Sequence, residues 1–362
     1  MSYSFGKNIK VTVFGQSHAQ AIGVVIDGLP YGYELNQEKI NCLLDRRRGK
    51  SELSTMRREK DEVNYLSGIF DGKTCGAPLC AVIYNEDTKS KDYSNLKDIP
   101  RPSHADFTAN QKYGNYDYRG GGQFSGRLTA PLCIAGAIAK DLLEEKGVFV
   151  KSRIKSILDI CDEKLDLSKV TVKDFDGLDE FFPVIDQSAK QGMLNAILTA
   201  KSQGDSVGGK IECFVFGMPI GVGEPNFDGL ESVISSLVFA VPAVKGIEFG
   251  NGFDATTIYG SQNNDGFYFD GTTVKTYTNN AGGINGGISN GMPIAFTVGI
   301  KPTPSIFKEQ DSVNLSEQQN EKLLIQGRHD PCITPRACAV IESVTALAVL
   351  DLLIEMEKRK CN

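Results

Sequence analysis

The sequence lacks several features that mark common classes of protein. It has no excess of positive charge: 39 Lys and Arg face 45 Asp and Glu, and the net charge of −6 excludes a global basic field for nucleic acid. None of its nine cysteines stands in a CxxC pair, which favours a reducing, cytosolic compartment. The first ten residues hold no apolar signal core, and Glu342 interrupts the most apolar stretch, 337–350. Neither export nor a membrane span is therefore expected.

Nucleotide-binding motifs are also absent. No GxGxxG follows a strand-like run, as a dinucleotide-binding fold would require. Residues 204–210 have the spacing of a phosphate-binding P-loop up to Lys210, but Ile211 then replaces the hydroxyl that would hold the metal. A helical pattern also precedes this segment instead of following it. Nucleotide hydrolysis is therefore not expected.

What the sequence does contain is glycine in repeated patterns. The 362-residue chain has 38 glycines. The pattern GxPxG occurs at 28–32 and 217–221, and GIxxGxxxGxP occurs at 68–78 and 283–293. Each series ends in a long helical pattern, at 129–146 and 335–358. Two related halves explain this common order, and a chance coincidence of turn residues is the alternative.

The organisation predicted from these patterns is a single domain, 1–362, that contains a pseudo-repeat. The halves are 1–150 and 205–362, and an acidic segment, 151–204, joins them and carries a helix near 188–203. Strands joined by short Gly-rich turns favour antiparallel pairing. The predicted fold class is therefore α+β, in which antiparallel sheets flank helices from both halves and a ligand site lies between the halves.

Arginines are concentrated where anions could bind. The densest basic cluster lies at 46–60, at the end of a helical pattern that begins near 36, where cations could simply complement the helix dipole. Other arginines stand beside Gly or Pro in loops: Arg101, Arg119, Arg127, Arg328 and Arg336. Because the guanidinium fork binds carboxylate and phosphate through two hydrogen bonds, this pattern indicates a small, multiply anionic ligand.

The three histidines, His18, His104 and His329, all lie in such loops. A histidine beside arginines and a bound anion is well placed to donate a proton to a leaving phosphate. Together with Asp106 and Asp330 they could instead surround a metal ion, but no HxH or HExxH spacing orders them, and no metal site is predicted.

Taken together, these motifs resemble the chorismate synthase family along nearly the whole chain. They are FGQSH at 14–18, DRRR at 45–48, RPSHAD at 101–106, YRGGG at 118–122, GDSVGG at 204–209, AVKGIE at 243–248, KPT at 301–303 and GRHDP at 327–331. The resemblance implies a carbon–oxygen lyase of the shikimate pathway, in aromatic amino acid biosynthesis. It removes phosphate from 5-enolpyruvylshikimate 3-phosphate by anti-1,4-elimination to give chorismate.

The same resemblance implies a helical core sandwiched between antiparallel sheets, a cytoplasmic homotetramer and a requirement for reduced FMN without net redox change. The flavin would supply electron density to the allylic system, so that cleavage of the C–O bond can lead. NADPH could serve as the reductant, or an external flavin reductase could be needed. The substrate carries two carboxylates and a phosphate, which agrees with the arginine-rich loops.

Individual residues receive roles from the resemblance as well. His18 would protonate the departing phosphate, His104 would protonate the reduced flavin, and Asp330 would relay a proton with flavin N5. The substrate or NADPH would be bound by Arg47, Arg48, Arg57, Arg127 and Arg336. FMN would be held by Gln123, Phe124, Ser125, Pro242, Ala243, Gly286, Lys301, Pro302, Thr303, Pro304, Ser305 and Arg328.

Two other functions remain open at this stage. A metal-dependent phosphohydrolase would use the three histidines and lose its activity to a chelator, whereas the lyase would be indifferent to metal. A polyanion- or RNA-binding protein would use the cluster at 46–60. The acidic isoelectric point of about 5.3 and the lack of interleaved aromatic residues disfavour the latter, and neither a nucleic-acid nor a membrane partner is predicted.

Overall fold

The computed structural model describes residues 3–48, 61–85, 96–325 and 329–360. Within these ranges the helices are α1 (Gln37–Arg48), α2 (Asp106–Tyr113), α3 (Thr129–Glu144), α4 (Gln187–Ser202), α5 (Leu230–Val238), α6 (Gly260–Asn263) and α7 (Thr334–Lys360). The strands are β1 (Ser4–Phe5), β2 (Lys10–Gly15), β3 (Ala21–Asp27), β4 (Asn64–Ser67), β5 (Ile69–Phe70), β6 (Lys73–Thr74), β7 (Leu79–Tyr84), β8 (Phe149–Ile157), β9 (Ile160–Cys161), β10 (Gly209–Phe216), β11 (Val244–Phe249), β12 (Phe267–Asp270), β13 (Thr273–Thr276), β14 (Ile284–Asn285), β15 (Ile288–Ser289), β16 (Ile294–Ile300), β17 (Gln310–Asn314) and β18 (Gln319–Leu323).

Two five-stranded antiparallel sheets form the frame. The first has the order β1-β2-β3-β7-β4, and the second has the order β11-β16-β10-β8-β9. The two sheets share one pairing. The strand that follows the Gly-rich turns lies beside the central strand in each sheet: β7 beside β3 in the first, and β16 beside β10 in the second. The strand β8 belongs to the second sheet, although the sequence analysis placed most of it in the connecting segment.

A layer of helices lies between the two sheets. Helix α3 packs on β3 and β7, α7 packs on β8 and β10, and the two helices pack against each other. Both are apolar on all sides, as expected of helices enclosed by protein. The two helices approach closely at Gly136, where an added Cβ would lie 2.2 Å from the Cβ of Ser343. This arrangement confirms the predicted α+β class with a helical core between antiparallel sheets.

Helix α7 is long and apolar enough to cross a membrane, but 94% of its most apolar window is buried inside the fold. One of its buried carboxylates, Glu342, is fully paired. It accepts hydrogen bonds from Arg46 at 2.7 and 2.9 Å and from the Ser152 amide at 3.1 Å, and it also binds Lys140. Opposite charges and direct hydrogen bonds offset the cost of burying this group, and they connect α7 to α1, α3 and β8.

The acidic segment covers the face of the second sheet that points away from the helices. There Phe175 packs on Phe214 and Phe216 in a separate apolar cluster. On the same face Arg153 donates 2.7 Å hydrogen bonds to Asp162 and to Glu212. Residues 165–178 therefore cover the outer face of this sheet, whereas Phe182, Val184 and α4 of the same segment pack into the main core.

Candidate active site

One cavity of about 700 Å³ opens where the first turns of α3 and α7 meet loops from both halves of the chain. Its wall includes the loop after β2, the C-terminal end of α1, the loops before α2 and α3, the connection from α5 to β11, and the segment that follows β16. Because the amino ends of α3 and α7 are both directed here, unpaired amide groups and helix dipoles favour a negatively charged ligand.

The wall of the cavity is strongly cationic. It is lined by seven cationic side chains and by two carboxylates, Asp61 and Asp330. The cations are Arg47, Arg48, Arg101, Arg127, Arg336, Lys245 and Lys301. In a partly enclosed space such an excess attracts and retains a ligand that carries several negative charges.

Two of these arginines share one carboxylate. Asp61 accepts a 3.0 Å hydrogen bond from Arg47 and a second, short one from Arg127. All three side chains are buried. Burial by itself would raise the pKa of Asp61, but the charges and hydrogen bonds of the two arginines outweigh it, and the pKa lies below its usual value. The Asp61 carboxylate is therefore ionised near neutral pH.

A second buried carboxylate orients a histidine. Asp106, in the first turn of α2, accepts hydrogen bonds from Arg101 at 2.7 and 2.9 Å and lies 2.7 Å from His104 Nδ1. Burial would raise the pKa of Asp106, but these hydrogen bonds hold it well below its ordinary range. An ionised Asp106 accepts a hydrogen bond from Nδ1–H of His104 and so directs Nε2 away from itself.

The pKa of His104 is lowered chiefly by burial, against the raising effect of Asp106, with Arg101 and Lys301 lowering it further. Near neutral pH the ring is therefore mostly uncharged in the protein alone. An anionic ligand beside it would raise the pKa again and favour the imidazolium form.

The glycine-rich segment before α3 packs against both catalytic histidine candidates. Gly120 has φ +58, and an added Cβ there would lie 2.3 Å from Cε1 of His18. At Gly121, with φ +84, an added Cβ would lie 3.4 Å from Nε2 of His104. Glycine is required because any side chain in this left-handed backbone would displace His18. The segment thus holds the two imidazole rings on the same wall of the cavity.

The start of α7 brings Asp330 and Arg336 together. Arg336 donates hydrogen bonds to Asp330 at 2.5 Å and to the carbonyl of Arg47 at 2.9 Å. The neighbouring His329 also lines the cavity, and its ring centroid lies 5.6 Å from that of Phe307. Across the described ranges, no three His, Cys, Asp or Glu side chains are grouped closely enough to hold a metal ion.

The segment after β16 closes another side of the cavity. Lys301 donates to the Ser103 carbonyl at 2.5 Å, and its backbone amide donates to the Ala243 carbonyl at 3.0 Å. Burial first, and then the charge of Lys245, lower the pKa of Lys301. The buried hydroxyl of Thr303 has no hydrogen-bond partner among the described residues. Two adjacent ammonium groups and a free hydroxyl form a set that fits a phosphate group.

Backbone strain also accumulates around the cavity. Asp61, Ser103 and Ala243 all have positive φ, at 51°, 57° and 73°, and all line the cavity. Non-glycine residues adopt this conformation at a cost, and such residues are concentrated at functional sites.

Most of the residues predicted from the sequence converge here. The cavity is lined by His18, His104, Asp330, Arg47, Arg48, Arg127, Arg336, Phe124, Ser125, Pro242, Ala243, Lys301, Thr303, Pro304 and Ser305. Gln123 and Pro302 belong to the same segments but do not line it, and Gly286 lies in the turn between β14 and β15, away from it. Arg57 and Arg328 lie outside the described residues.

Several lining residues were not among the predicted site residues. Arg101 and His329 stood in motifs that the sequence analysis noted, but without a role. Lys245 likewise stood in the AVKGIE motif without a role. Asp61 and the half-exposed Phe239 carried no comparable signal, because Asp61 lies in an ordinary charged run and Phe239 lies at a helix end. The basic cluster at 46–60 also divides, since Arg46 points into the core toward Glu342 and not into the cavity.

Both the sequence and the fold are similar to those of known proteins. The family model for chorismate synthase matches residues 9–354. Curated chorismate synthases include one from Methanobrevibacter smithii, 47% identical over 98% of this chain and 97% of its own length, and one from Dehalococcoides mccartyi, 45% identical over 98% and 97%. A crystal structure of chorismate synthase superposes with a TM-score of 0.72 at 26% identity, covering 97% of this chain and 93% of that one.

Proposed function

Because the chain belongs to the chorismate synthase family, we propose that its cationic cavity is where the family's reaction takes place. That reaction is the anti-1,4-elimination of phosphate from 5-enolpyruvylshikimate 3-phosphate, which gives chorismate for aromatic amino acid biosynthesis. The protein is accordingly a carbon–oxygen lyase that acts on a phosphate ester. The assignment of the reaction to individual residues is the proposal.

The observation that carries the assignment is the meeting of seven cations with His18, His104 and Asp330 in one cavity. The substrate has two carboxylates and a phosphate, and bidentate arginines bind such groups best. We assign its binding to Arg47, Arg48, Arg127 and Arg336, with Arg57 as a further contact by resemblance. NADPH could reach the same arginines when it serves as reductant.

Proton transfer is assigned to the two histidines and Asp330. His18 donates a proton to the departing phosphate, because its ring is held on the Gly120 backbone at the cavity wall. His104 holds a proton at Nε2 once a bound anion has raised its pKa, and Asp106 fixes the ring through Nδ1. Asp330, which accepts a hydrogen bond from Arg336, would relay a proton, as the family resemblance implies. General acid–base groups of this kind contribute about 10²- to 10⁴-fold each.

Reduced FMN fits the part of the cavity that faces Lys245 and Lys301. When bound it supplies electron density to the allylic system of the substrate. The ammonium groups and the free Thr303 hydroxyl suit its phosphate. Phe124, Ser125, Pro242, Ala243, Pro304 and Ser305 offer the adjoining wall. Gln123, Gly286, Pro302 and Arg328 remain assigned to FMN by resemblance alone.

We also propose a cytoplasmic homotetramer, on the resemblance to the family. Flavin reduction would come from NADPH or from an external reductase. No nucleic acid or membrane takes part in this function.

The test is anaerobic turnover of 5-enolpyruvylshikimate 3-phosphate by the purified protein with chemically reduced FMN, followed through the absorbance of chorismate. A second reaction with oxidised FMN and NADPH shows whether the protein reduces its own flavin. Activity with reduced FMN alone indicates an external reductase. Addition of a chelator in a parallel reaction should leave the rate unchanged. Loss of activity with the chelator would favour the metal-dependent phosphohydrolase instead.

A further inference from the structure

The carboxylate of Asp61 lies between two cavity arginines. Its Oδ2 accepts from Arg47 at 3.0 Å, and its Oδ1 accepts from Arg127. The side chain of Asp61 is 1% exposed, and those of Arg47 and Arg127 are 6% and 4% exposed. Two guanidinium groups this close in a buried space repel each other unless an anion separates them.

The same carboxylate is linked to the loop that holds His18. Arg127 Nε donates to Asn85 Oδ1 at 3.2 Å, and Asn85 Nδ2 donates to the carbonyls of Gln16 and Ala19 at 3.2 and 2.8 Å. The hydrogen bonds therefore run from Asp61 through Arg127 to the backbone on either side of His18. A change in the position of Arg127 would therefore affect the orientation of His18 as well as the binding of the anionic ligand.

We propose that Asp61 is a positioning residue for the substrate, which holds Arg47 and Arg127 as a fixed pair directed at the anionic groups of the ligand. The proposal rests on the proposed function, in which these two arginines bind the substrate. Arg47 and Arg127 both line the cavity, so the pair lies within reach of a bound anion. Because the pair is assembled beforehand, binding does not have to overcome its repulsion or order its side chains.

The geometry requires a carboxylate and not merely a polar side chain. An amide at position 61 has one acceptor oxygen for two guanidinium donors, and its NH₂ group would face the second guanidinium, N–H against N–H. One arginine would then turn away from its place. The backbone at Asp61 has φ +51, which Asn and Gly adopt more readily than Ala, so Asp61→Asn and Asp61→Gly are the suitable variants.

The experiment measures substrate affinity by calorimetry on protein loaded with oxidised FMN, together with KM and kcat in the anaerobic assay. For Asp61→Asn we expect substrate affinity to fall tenfold or more, with a matching rise in KM and an unchanged FMN affinity. Asp61→Gly should lose as much affinity in chloride and regain at least half of the loss in formate at equal ionic strength, because formate fits the vacated carboxylate position. If Asp61→Asn does not fold, the rescue of Asp61→Gly by formate tests the inference in its place.

The matched control is Glu212→Gln, since Glu212 is a buried carboxylate between Arg153 and Lys155 that lies far from the cavity lining. It should lower the melting temperature and leave substrate affinity unchanged. A folded Asp61→Asn with substrate affinity within twofold of wild type would overturn the inference, as would equal losses in Glu212→Gln or an Asp61→Gly variant indifferent to formate. Arg127→Ala distinguishes a failure of this inference from a failure of the proposed function. If Arg127→Ala binds substrate normally, the proposed substrate site itself is wrong.

Discussion

The most informative variant of the acid–base machinery is Asp106→Asn. It preserves the shape of the side chain but removes the negative charge between Arg101 and His104, which donate to it at 2.7–2.9 Å. Arg101 is 5% exposed and would keep a buried charge without its partner. Removal of one partner of such a pair typically costs about 3–5 kcal/mol of folding free energy. We therefore expect a clear drop in melting temperature.

The catalytic effect follows from the pKa of His104. Burial lowers this pKa, Asp106 raises it, and Arg101 and Lys301 lower it. Without Asp106 only the lowering influences remain, so the protonated form becomes rarer near neutral pH. Each unit of pKa corresponds to about tenfold in the protonated fraction. If His104 acts in its protonated form, we expect kcat to fall about 10- to 100-fold at neutral pH and to recover in part in mildly acidic buffer.

The assay is kcat against pH with reduced FMN, from about pH 5.5 to about pH 9. Asp162→Asn is the control, because Asp162 forms a buried pair with Arg153 at 2.7 Å on the outer face of the second sheet. It should lose stability and keep the wild-type pH profile. A folded Asp106→Asn variant with an unshifted profile would refute the claim that Asp106 acts through the protonation of His104.

Three further predictions address the remaining groups. His18→Ala and His104→Ala should each reduce kcat by about 100-fold or more and still bind FMN, and near-normal turnover in both would remove the proposed proton donors. Asp330→Asn should lower kcat more than it raises KM, because the amide keeps the shape and cannot hold the proton, and an effect on KM alone would contradict that role. Glu342→Gln should cost about 3–5 kcal/mol at neutral pH, since a buried carboxylate loses its charge among Arg46 and Lys140. Despite its burial, those cations hold the pKa of Glu342 far below its usual value, so the stabilisation is present above the usual value and is lost as the pH falls through the lowered one. In acid, the unfolding free energy of Glu342→Gln should therefore fall less steeply than that of wild type.

The sequence predicted the helices well because their signals are local. The helical patterns at 129–146, 188–203 and 335–358 match α3, α4 and α7 to within two residues at either end. The strands beside Gly-rich turns were also predicted, since positive φ at glycine marks a chain reversal. The start of the second sheet was missed, because β8 follows α3 after a single short turn and its Lys151, Arg153 and Lys155 interrupt the apolar pattern of a strand.

The internal repeat stays a prediction, and the glycine geometry supports it. An added Cβ would lie 2.1 Å from a carbonyl oxygen both at Gly28 and at Gly217, the first glycines of the two GxPxG patterns. Gly68 and Gly283, which open the two longer patterns, both have φ above +80 and both approach the strand that follows them. Matching steric reasons at matching positions are hard to obtain by coincidence.

The site was predictable where motifs carry chemistry and unpredictable where long-range contacts do. His18, His104 and Arg127 stand beside glycines or prolines, so their loops could be recognised. Asp61 gave no such signal, because only the fold brings it between Arg47 and Arg127. Arg46 shows the converse, since nothing in the basic cluster distinguishes a core ion pair from a ligand contact until α7 is placed against α1.

The contact between Gly136 and Ser343 makes the width of the cavity a property of the core. Arg127 lies two residues before α3, and Arg336 lies in the first turn of α7, so the spacing of the two helices also sets the spacing of these two guanidinium groups. A single methyl group at position 136 would spread the helices apart. Selectivity for ligand size could thus drift during evolution, or be tuned by design, through a position that never meets the ligand.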